Sequence, residues 1–123
     1  MYIGDFCEVK KLIIAGGREF KDYKALQDAM ADWIRDNGPP YIIISGGARG
    51  ADTLAEQWAE EHDTLIHIYP AQWDLYGRSA GYRRNEQMAK EGNYLLAFWD
   101  GESRGTKHMI DLMNDYYTTT ISY

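Results

Sequence analysis

The sequence has little of several features that mark whole classes of protein. One cysteine, Cys7, stands among 123 residues, so no internal disulfide can form, and this usage fits a reducing compartment. No apolar run is long enough to cross a bilayer, and the chain does not open on a basic segment followed by an apolar stretch, as a signal peptide would. We therefore expect a cytoplasmic protein with no membrane partner.

Several familiar site motifs are also absent. The chain contains neither the Gly-Lys-Ser/Thr of a Walker loop nor the Gly-x-Gly-x-x-Gly of dinucleotide-binding folds, and no Gly-x-Ser-x-Gly elbow surrounds a serine. Its three histidines and single cysteine lack the spacing of metal ligands. The net charge of −6 has the wrong sign for binding along a nucleic-acid backbone. We expect no metal, no cofactor and no nucleic-acid partner.

What the chain does have is a regular alternation of short apolar segments with amphipathic helical patterns. This alternation is typical of a three-layer α/β domain with a parallel sheet and helices on both faces. We expect a single domain over residues 1–123, in which residues 1–10 form an irregular lead-in. The predicted strands are residues 11–15, 41–45, 64–69, 94–99 and 118–123, and the clearest helix covers residues 80–91.

Two regions between these elements carry more specific expectations. Residues 71–79 are predicted to form a long connection, and the strand before it holds His67 as a packed side chain. The last helix is predicted to open at Gly105-Thr106. One face of that helix is expected to carry Thr106, Met109, Ile110, Met113 and Tyr117.

A glycine-rich turn follows the second predicted strand and opens the next helix. The unpaired N–H groups and the positive dipole end of a helix point at whatever lies in such a turn, which makes it an anion site, most often a phosphate site. A tight strand-to-helix connection without any ligand explains the glycines equally well. The turn reads Ser45-Gly46-Gly47-Ala48-Arg49-Gly50-Ala51-Asp52.

Six of the seven arginines follow a predicted strand or open the helix after it, so they fall on the rim where a parallel sheet binds ligands. Guanidinium groups suit bidentate recognition of phosphate or carboxylate, and helix first turns otherwise disfavour cations. The sequence therefore predicts an anionic ligand at this rim, with Trp73 and Tyr76 as candidates to stack on a planar base. The six arginines are Arg18, Arg49, Arg78, Arg83, Arg84 and Arg104.

Four motifs in this order resemble one family. They are Gly16-Gly17-Arg18, Ser45 to Asp52, Arg84-Asn85-x-x-Met88 and Gly105-Thr106. Together they resemble the small proteins of the SLOG (SMF/DprA–LOG) superfamily, in particular its YspA-like group. The resemblance implies a Rossmann-like five-stranded sheet of order 3-2-1-4-5. It also implies a nucleotide or nucleotide-derived ligand, bound in a crevice at the carboxyl ends of strands 1, 2 and 4.

The resemblance implies roles for individual residues as well. The turn after strand 1 forms one wall of the crevice, and the backbone N–H groups of the turn after strand 2 bind phosphate. Asp52 either bonds a ribose hydroxyl or caps its helix, and Thr106 either binds phosphate or only caps its helix. With Trp73 added from the aromatic residues at the rim, the candidate ligand-binding set is Gly16, Gly17, Arg18, Ser45, Gly46, Gly47, Arg49, Gly50, Ala51, Asp52, Trp73, Arg84, Asn85, Gly105 and Thr106.

One departure from the family pattern bears on the choice between binding and catalysis, although Asp52, Glu86, Asp100 and Glu102 are other carboxylates that could act. The related LOG enzymes, which hydrolyse the N-glycosidic bond of nucleoside monophosphates, carry acidic residues where this chain has His108 and Met109. Without a carboxylate there, the activation of water loses its obvious agent. The sequence therefore favours a binding module or sensor over a phosphoribohydrolase, and DprA-like nucleic-acid binding comes last. A homo-oligomer stays open.

Overall fold

The computed structural model describes residues 9–123. Its core is a sheet of five parallel strands in the order β3-β2-β1-β4-β5. This arrangement confirms the predicted Rossmann-like fold and strand order. The strands are β1 Lys11–Gly16, β2 Ile42–Ser45, β3 Leu65–Ile68, β4 Tyr94–Trp99 and β5 Tyr117–Ser122.

The helices cover both faces of the sheet, as expected for alternating elements. Those on one side pack on Leu12 and Ile14 of β1, and those on the other pack on Ile13 and Ala15, because successive side chains of a strand point to opposite faces. Helices α1 Tyr23–Asn37 and α2 Ala51–Glu61 lie on the first side. Helices α4 Ala80–Glu91 and α5 Arg104–Leu112 lie on the second.

The central strands read as uninterrupted apolar runs because both of their faces are covered. Leu12, Ile13, Ile14, Leu95 and Leu96 are completely buried. None of the helices within residues 9–123 is both long and apolar enough to cross a bilayer. Residues 1–8 of the predicted lead-in, Cys7 among them, lie outside the described residues, and Val9 and Lys10 belong to no helix or strand.

The connection between β3 and α4 contains more structure than predicted. A one-turn helix, α3 Trp73–Tyr76, is followed by a 3-10 turn at Gly77–Ser79 that runs directly into α4. Four residues are too few to show a helical period in the sequence. His67 is also not packed as predicted: it is exposed on the edge strand β3, with its ring Nδ1 2.8 Å from Glu91 Oε1.

The boundary between the last helix and the last strand also differs from the prediction. Helix α5 begins at Arg104, not at Gly105-Thr106, and ends at Leu112. Tyr117 is therefore not on its face. It is the first residue of β5, where its ring stacks on that of Tyr94 with the ring centres 4.8 Å apart. The prediction was wrong because no glycine or proline marks the end of this helix in the sequence.

Strand order reverses between β1 and β4, which are neighbours although they lie far apart in the chain. The chain leaves β1 towards β2 on one side of the sheet, and it leaves β4 towards β5 on the other. In parallel sheets a crevice opens beyond the carboxyl ends of the strands at such a reversal. The fold therefore brings the turns after β1, β2 and β4 to one edge.

Candidate functional site

A cavity of about 460 Å³ lies beyond the carboxyl ends of β1 and β4. We call it the main cavity. Its walls come from the turns after β1 and β4 and from one face of α4. The predicted residues among its lining are Gly16, Gly17, Arg18, Asp52, Trp73, Arg84, Asn85, Gly105 and Thr106. Gly46, Gly47 and Arg49 line a neighbouring cavity, whereas Ser45, Gly50 and Ala51 line neither of the two.

The turns after β1 and β2 are packed directly against each other. Gly50 has a φ of +81°, and a Cβ placed on it would lie 2.3 Å from the carbonyl oxygen of Gly17. The N–H of Ala51 donates to that same oxygen at 3.3 Å. A Cβ on Gly16 would lie 2.7 Å from the Cβ of Ala51. These glycines therefore allow two turns to touch, which is the ligand-free explanation of their presence.

We expect Gly50→Ala to destabilise the fold by about 3 kcal/mol, because it adds a clash with backbone to the strain of a positive φ. Gly101→Ala is the matched control. Gly101 has a φ of +87° but open space around a new Cβ. The Gly101→Ala variant should lose only the roughly 1–2 kcal/mol of folding stability that the left-handed conformation costs an alanine. Urea denaturation of both variants measures the difference, and equal losses would contradict the close packing of the two turns.

Three N–H groups of the turn after β2 already have acceptors within the protein, so the turn offers a phosphate fewer donors than expected. The N–H of Gly47 donates to Ser45 Oγ at 3.2 Å, and that of Ala48 donates to Asp52 Oδ2 at 3.1 Å. The N–H of Ala51 is bound to Gly17. The Asp52 carboxylate thus occupies the position of an anion within this turn.

Asp52 does not cap α2, which removes one of its two predicted roles. The N-cap position is Gly50, and the Asp52 carboxylate turns back to Ala48 instead. Asp52 is 7% exposed and faces the main cavity. Burial raises the pKa of its carboxyl to about 6, although the N–H of Ala48 and the charge of Arg84 act in the opposite direction. This carboxyl is therefore poised to exchange a proton near neutral pH.

Arg84 and Asn85 lie together at the cavity, as their helical spacing predicted. The Arg84 guanidinium donates to the carbonyl of Gly46 and, at 3.1 Å, to Asn85 Oδ1. Burial lowers the pKa of Arg84, the charge of Asp52 acts in the opposite direction, and the positive charge of Arg18 adds a smaller lowering effect. The amide of Asn85 donates to the carbonyl of Gly105 at 3.1 Å. This pair of neighbours therefore ties α4 to the turns after both β2 and β4.

The amino-terminal turn of α5 forms the opposite wall. Ser103 is the N-cap, and the Asp100 carboxylate accepts the N–H groups of Glu102 and Ser103 at 2.8 Å each, which lowers its pKa. Thr106 is a buried residue of the first turn, so it does not cap the helix as one prediction held. Within residues 9–123 the N–H groups of Gly105 and Thr106 have no acceptor. They are the helix donors left for a ligand at this edge.

The two positions that lack a carboxylate relative to the LOG enzymes have other surroundings here. Met109 is completely buried and closes the floor of the main cavity. The ring of His108 lies edge-on to Tyr82 at 4.6 Å, and its Nδ1 is 3.2 Å from the amide nitrogen of Asn85. The carboxylates that line the main cavity come from other elements. They belong to Glu19, Asp52 and Asp100.

Only some of the six arginines predicted for the rim line the main cavity. Arg18, Arg78 and Arg84 line the main cavity. Arg49 pairs with Glu19 at 2.7 Å at the rim, and Arg83 stacks over Tyr76, 4.4 Å from its ring centre. Arg104 lines neither cavity. The rim therefore holds three arginines aimed at one space rather than six.

Sequence reasoning missed some of the lining. Tyr123 comes from the end of β5, and its hydroxyl lies against Gly17. The available signal was topological: β5 is parallel to β4, so the residue after it must reach the same edge. Glu19 also lines the cavity, next to the predicted Arg18 in the chain, whereas Tyr82 was among the aromatic residues expected at this rim.

Comparison with known proteins supports this assignment. A family model described as the YspA, cpYpsA-related SLOG family matches residues 10–76, more than half of the chain. The match includes the turns after β1 and β2 but ends before α4. The Gene 61 protein of Mycobacterium phage D29 is 35% identical over 106 residues, which cover 81% of this chain and 85% of that relative. No solved structure matches. The chain therefore belongs to the YspA, cpYpsA-related SLOG family.

Proposed function

We propose that the protein binds a nucleotide or a nucleotide-derived anion in the main cavity and acts as a sensor or binding module. One observation carries this proposal. Arg18, Arg78 and Arg84 line the cavity, and within residues 9–123 none of them forms a salt bridge, although Arg35 and Arg49 both do. Arginines that share one cavity without forming salt bridges favour an anionic ligand, even with the charge of Asp52 acting on Arg84.

The other walls suit the remaining parts of a nucleotide. Trp73 is half exposed at the mouth of the cavity, and Tyr82 lies on the α4 side, so either ring can stack on a base. The carboxylates of Asp52 and Asp100 can accept hydrogen bonds from sugar hydroxyls. A volume of about 460 Å³ falls within the range of small-molecule sites.

A thermal-shift screen of nucleosides, nucleotides, dinucleotides and cyclic nucleotides tests the proposal. A ligand present at 100 times its Kd should stabilise the fold by about 2.7 kcal/mol. The shift should require the anionic group, so the parent nucleoside at the same concentration is the control. Absence of a shift with every anionic nucleotide would contradict the proposal.

A second candidate function is hydrolysis of a nucleotide at its N-glycosidic bond, and Asp52 is the observation that favours it. A buried carboxyl with a pKa near 6 in a cavity beside an arginine is typical of a general acid or base. Chromatography of the mixtures from the screen distinguishes the two functions. Free base that accumulates with wild-type protein and not with Asp52→Asn indicates catalysis, whereas intact nucleotide indicates a binding module.

A further inference from the structure

A second cavity adjoins the main cavity on the far side of Arg18, Trp73 and Arg84. Its volume of about 540 Å³ is similar to that of the main cavity. The two share Arg18, Ala48, Trp73 and Arg84 as lining, so they adjoin each other at these residues. We call this second cavity the arginine lobe, after Arg18, Arg49 and Arg84.

The two cavities differ sharply in charge. Three carboxylates line the main cavity, those of Glu19, Asp52 and Asp100. The arginine lobe has three arginines in its lining and no aspartate or glutamate. The main cavity also holds Arg18, Arg78 and Arg84, so it can take hydroxyl and amino donors beside an anionic group, whereas the lining of the arginine lobe favours an anionic group alone.

Two cationic side chains meet at the junction between the cavities. Arg18 and Arg84 line both cavities, and the charge of Arg18 is near enough to lower the pKa of Arg84. The Arg18 guanidinium lies 5.8 Å from the ring centre of Trp73. An anionic group at this junction would relieve the repulsion between the two guanidinium groups.

One existing contact opposes an anion in the lobe. Arg49 is paired with Glu19 at 2.7 Å, but both side chains are 72% exposed. A salt bridge between exposed side chains contributes little to stability, so a phosphate can displace Glu19 from Arg49. The ion pair therefore keeps Arg49 at the lobe without closing it.

We propose that the ligand is a nucleoside polyphosphate. Its base and ribose lie in the main cavity, a phosphate lies at the junction between Arg18 and Arg84, and further phosphates extend into the arginine lobe towards Arg49. This inference rests on the proposed function, because it names the ligand class of the same site.

Isothermal titration calorimetry of the full chain in the absence of divalent metal tests the inference. The probes are adenosine, guanosine, cytidine and uridine with their 5′-mono-, di- and triphosphates. For the base that binds, we expect the triphosphate to bind at least about 10-fold more tightly than the monophosphate. Arg49→Ala should remove most of that ratio. Arg35→Ala should preserve it, since Arg35 is an equally exposed arginine in a salt bridge on α1, away from both cavities.

The outcomes separate the inference from the proposed function. Equal affinities for mono- and triphosphate, or an Arg49→Ala variant that keeps the wild-type ratio, would overturn the inference and leave nucleotide binding intact. The phosphate would then be expected to bind at the N–H groups of the first turn of α5 instead. If no nucleotide binds at all, both the inference and the proposed function fall.

Discussion

Arg84→Ala is expected to weaken nucleotide binding severely, with a loss of affinity of at least about 30-fold. Arg84 is the arginine held deepest at the site: it lines both cavities and donates to the carbonyl of Gly46 and to Asn85. Removing one partner of a buried, hydrogen-bonded charge costs about 2–5 kcal/mol, which corresponds to a factor of about 30 to several thousand in Kd. Titration of the nucleotide found in the thermal-shift screen measures the loss.

Arg83→Ala is the matched control for this experiment. Arg83 is the preceding residue on the same helix, but it is exposed, donates to Ser79 Oγ and stacks over Tyr76. Its replacement should change affinity less than threefold. Comparable losses for the two variants would indicate a diffuse electrostatic effect and contradict a site centred on Arg84.

Arg84→Lys separates charge from geometry. Lysine restores the positive charge but not the planar fork that reaches Gly46 and Asn85 at once. We expect it to recover a minor part of the affinity. Both variants should be measured at pH 6, where the buried Asp52 carboxyl can take up a proton and Arg84→Ala does not leave it as an uncompensated charge.

The fold was predictable because the apolar residues recur with a clear helical or strand period along most of the sequence. The bounds of α4 and β4 agree with prediction, since Gly92 separates a helix of period 3.6 from a run of six largely apolar residues. The end of α5 was not predictable in the same way. Residues 113–117 contain neither glycine nor proline, so Tyr117 fits the helical pattern as well as the strand it begins.

The location of the site was predictable, but its hydrogen bonding was not. Parallel strands place all post-strand turns on one edge, so the convergence of Gly17, Arg84 and Gly105 follows from topology. Whether an N–H is free depends on contacts between distant parts of the chain. The N–H of Ala51 donates to the carbonyl oxygen of Gly17, and no local sequence pattern indicates an acceptor 34 positions earlier in the chain.

The second large prediction concerns Asp52, whose charge should weaken the fold at neutral pH. Its folded-state pKa of about 6 lies above the ordinary value of 3.8, so the folded protein holds this proton more tightly than the unfolded chain. Stability therefore falls as pH rises from about 4 to about 6 and stays lower above that range. A shift of this size corresponds to about 3 kcal/mol.

Asp52→Asn should remove that penalty. Its side-chain oxygen can still accept the N–H of Ala48, while the attraction to Arg84 is lost, so we expect a gain of about 1–3 kcal/mol at pH 7.5 that disappears near pH 4. Urea denaturation at several pH values between 4 and 8 measures this dependence. The same variant should bind the nucleotide less well, because it removes the carboxylate that faces the cavity.

Asp100→Asn provides a control of opposite sign. The Asp100 carboxylate accepts two backbone N–H groups, and these bonds hold its pKa below the ordinary value. Its contribution to stability is therefore present at pH 7.5 and is lost as the pH falls through the folded-state pKa, so Asp100→Asn should destabilise the protein at pH 7.5. If both variants were less stable than wild type at pH 7.5, the Asp52 carboxylate would instead stabilise its turn through the hydrogen bond from Ala48. A gain for Asp52→Asn alone would mean that the chain retains a destabilising charge at its ligand cavity, which is the signature of a functional group.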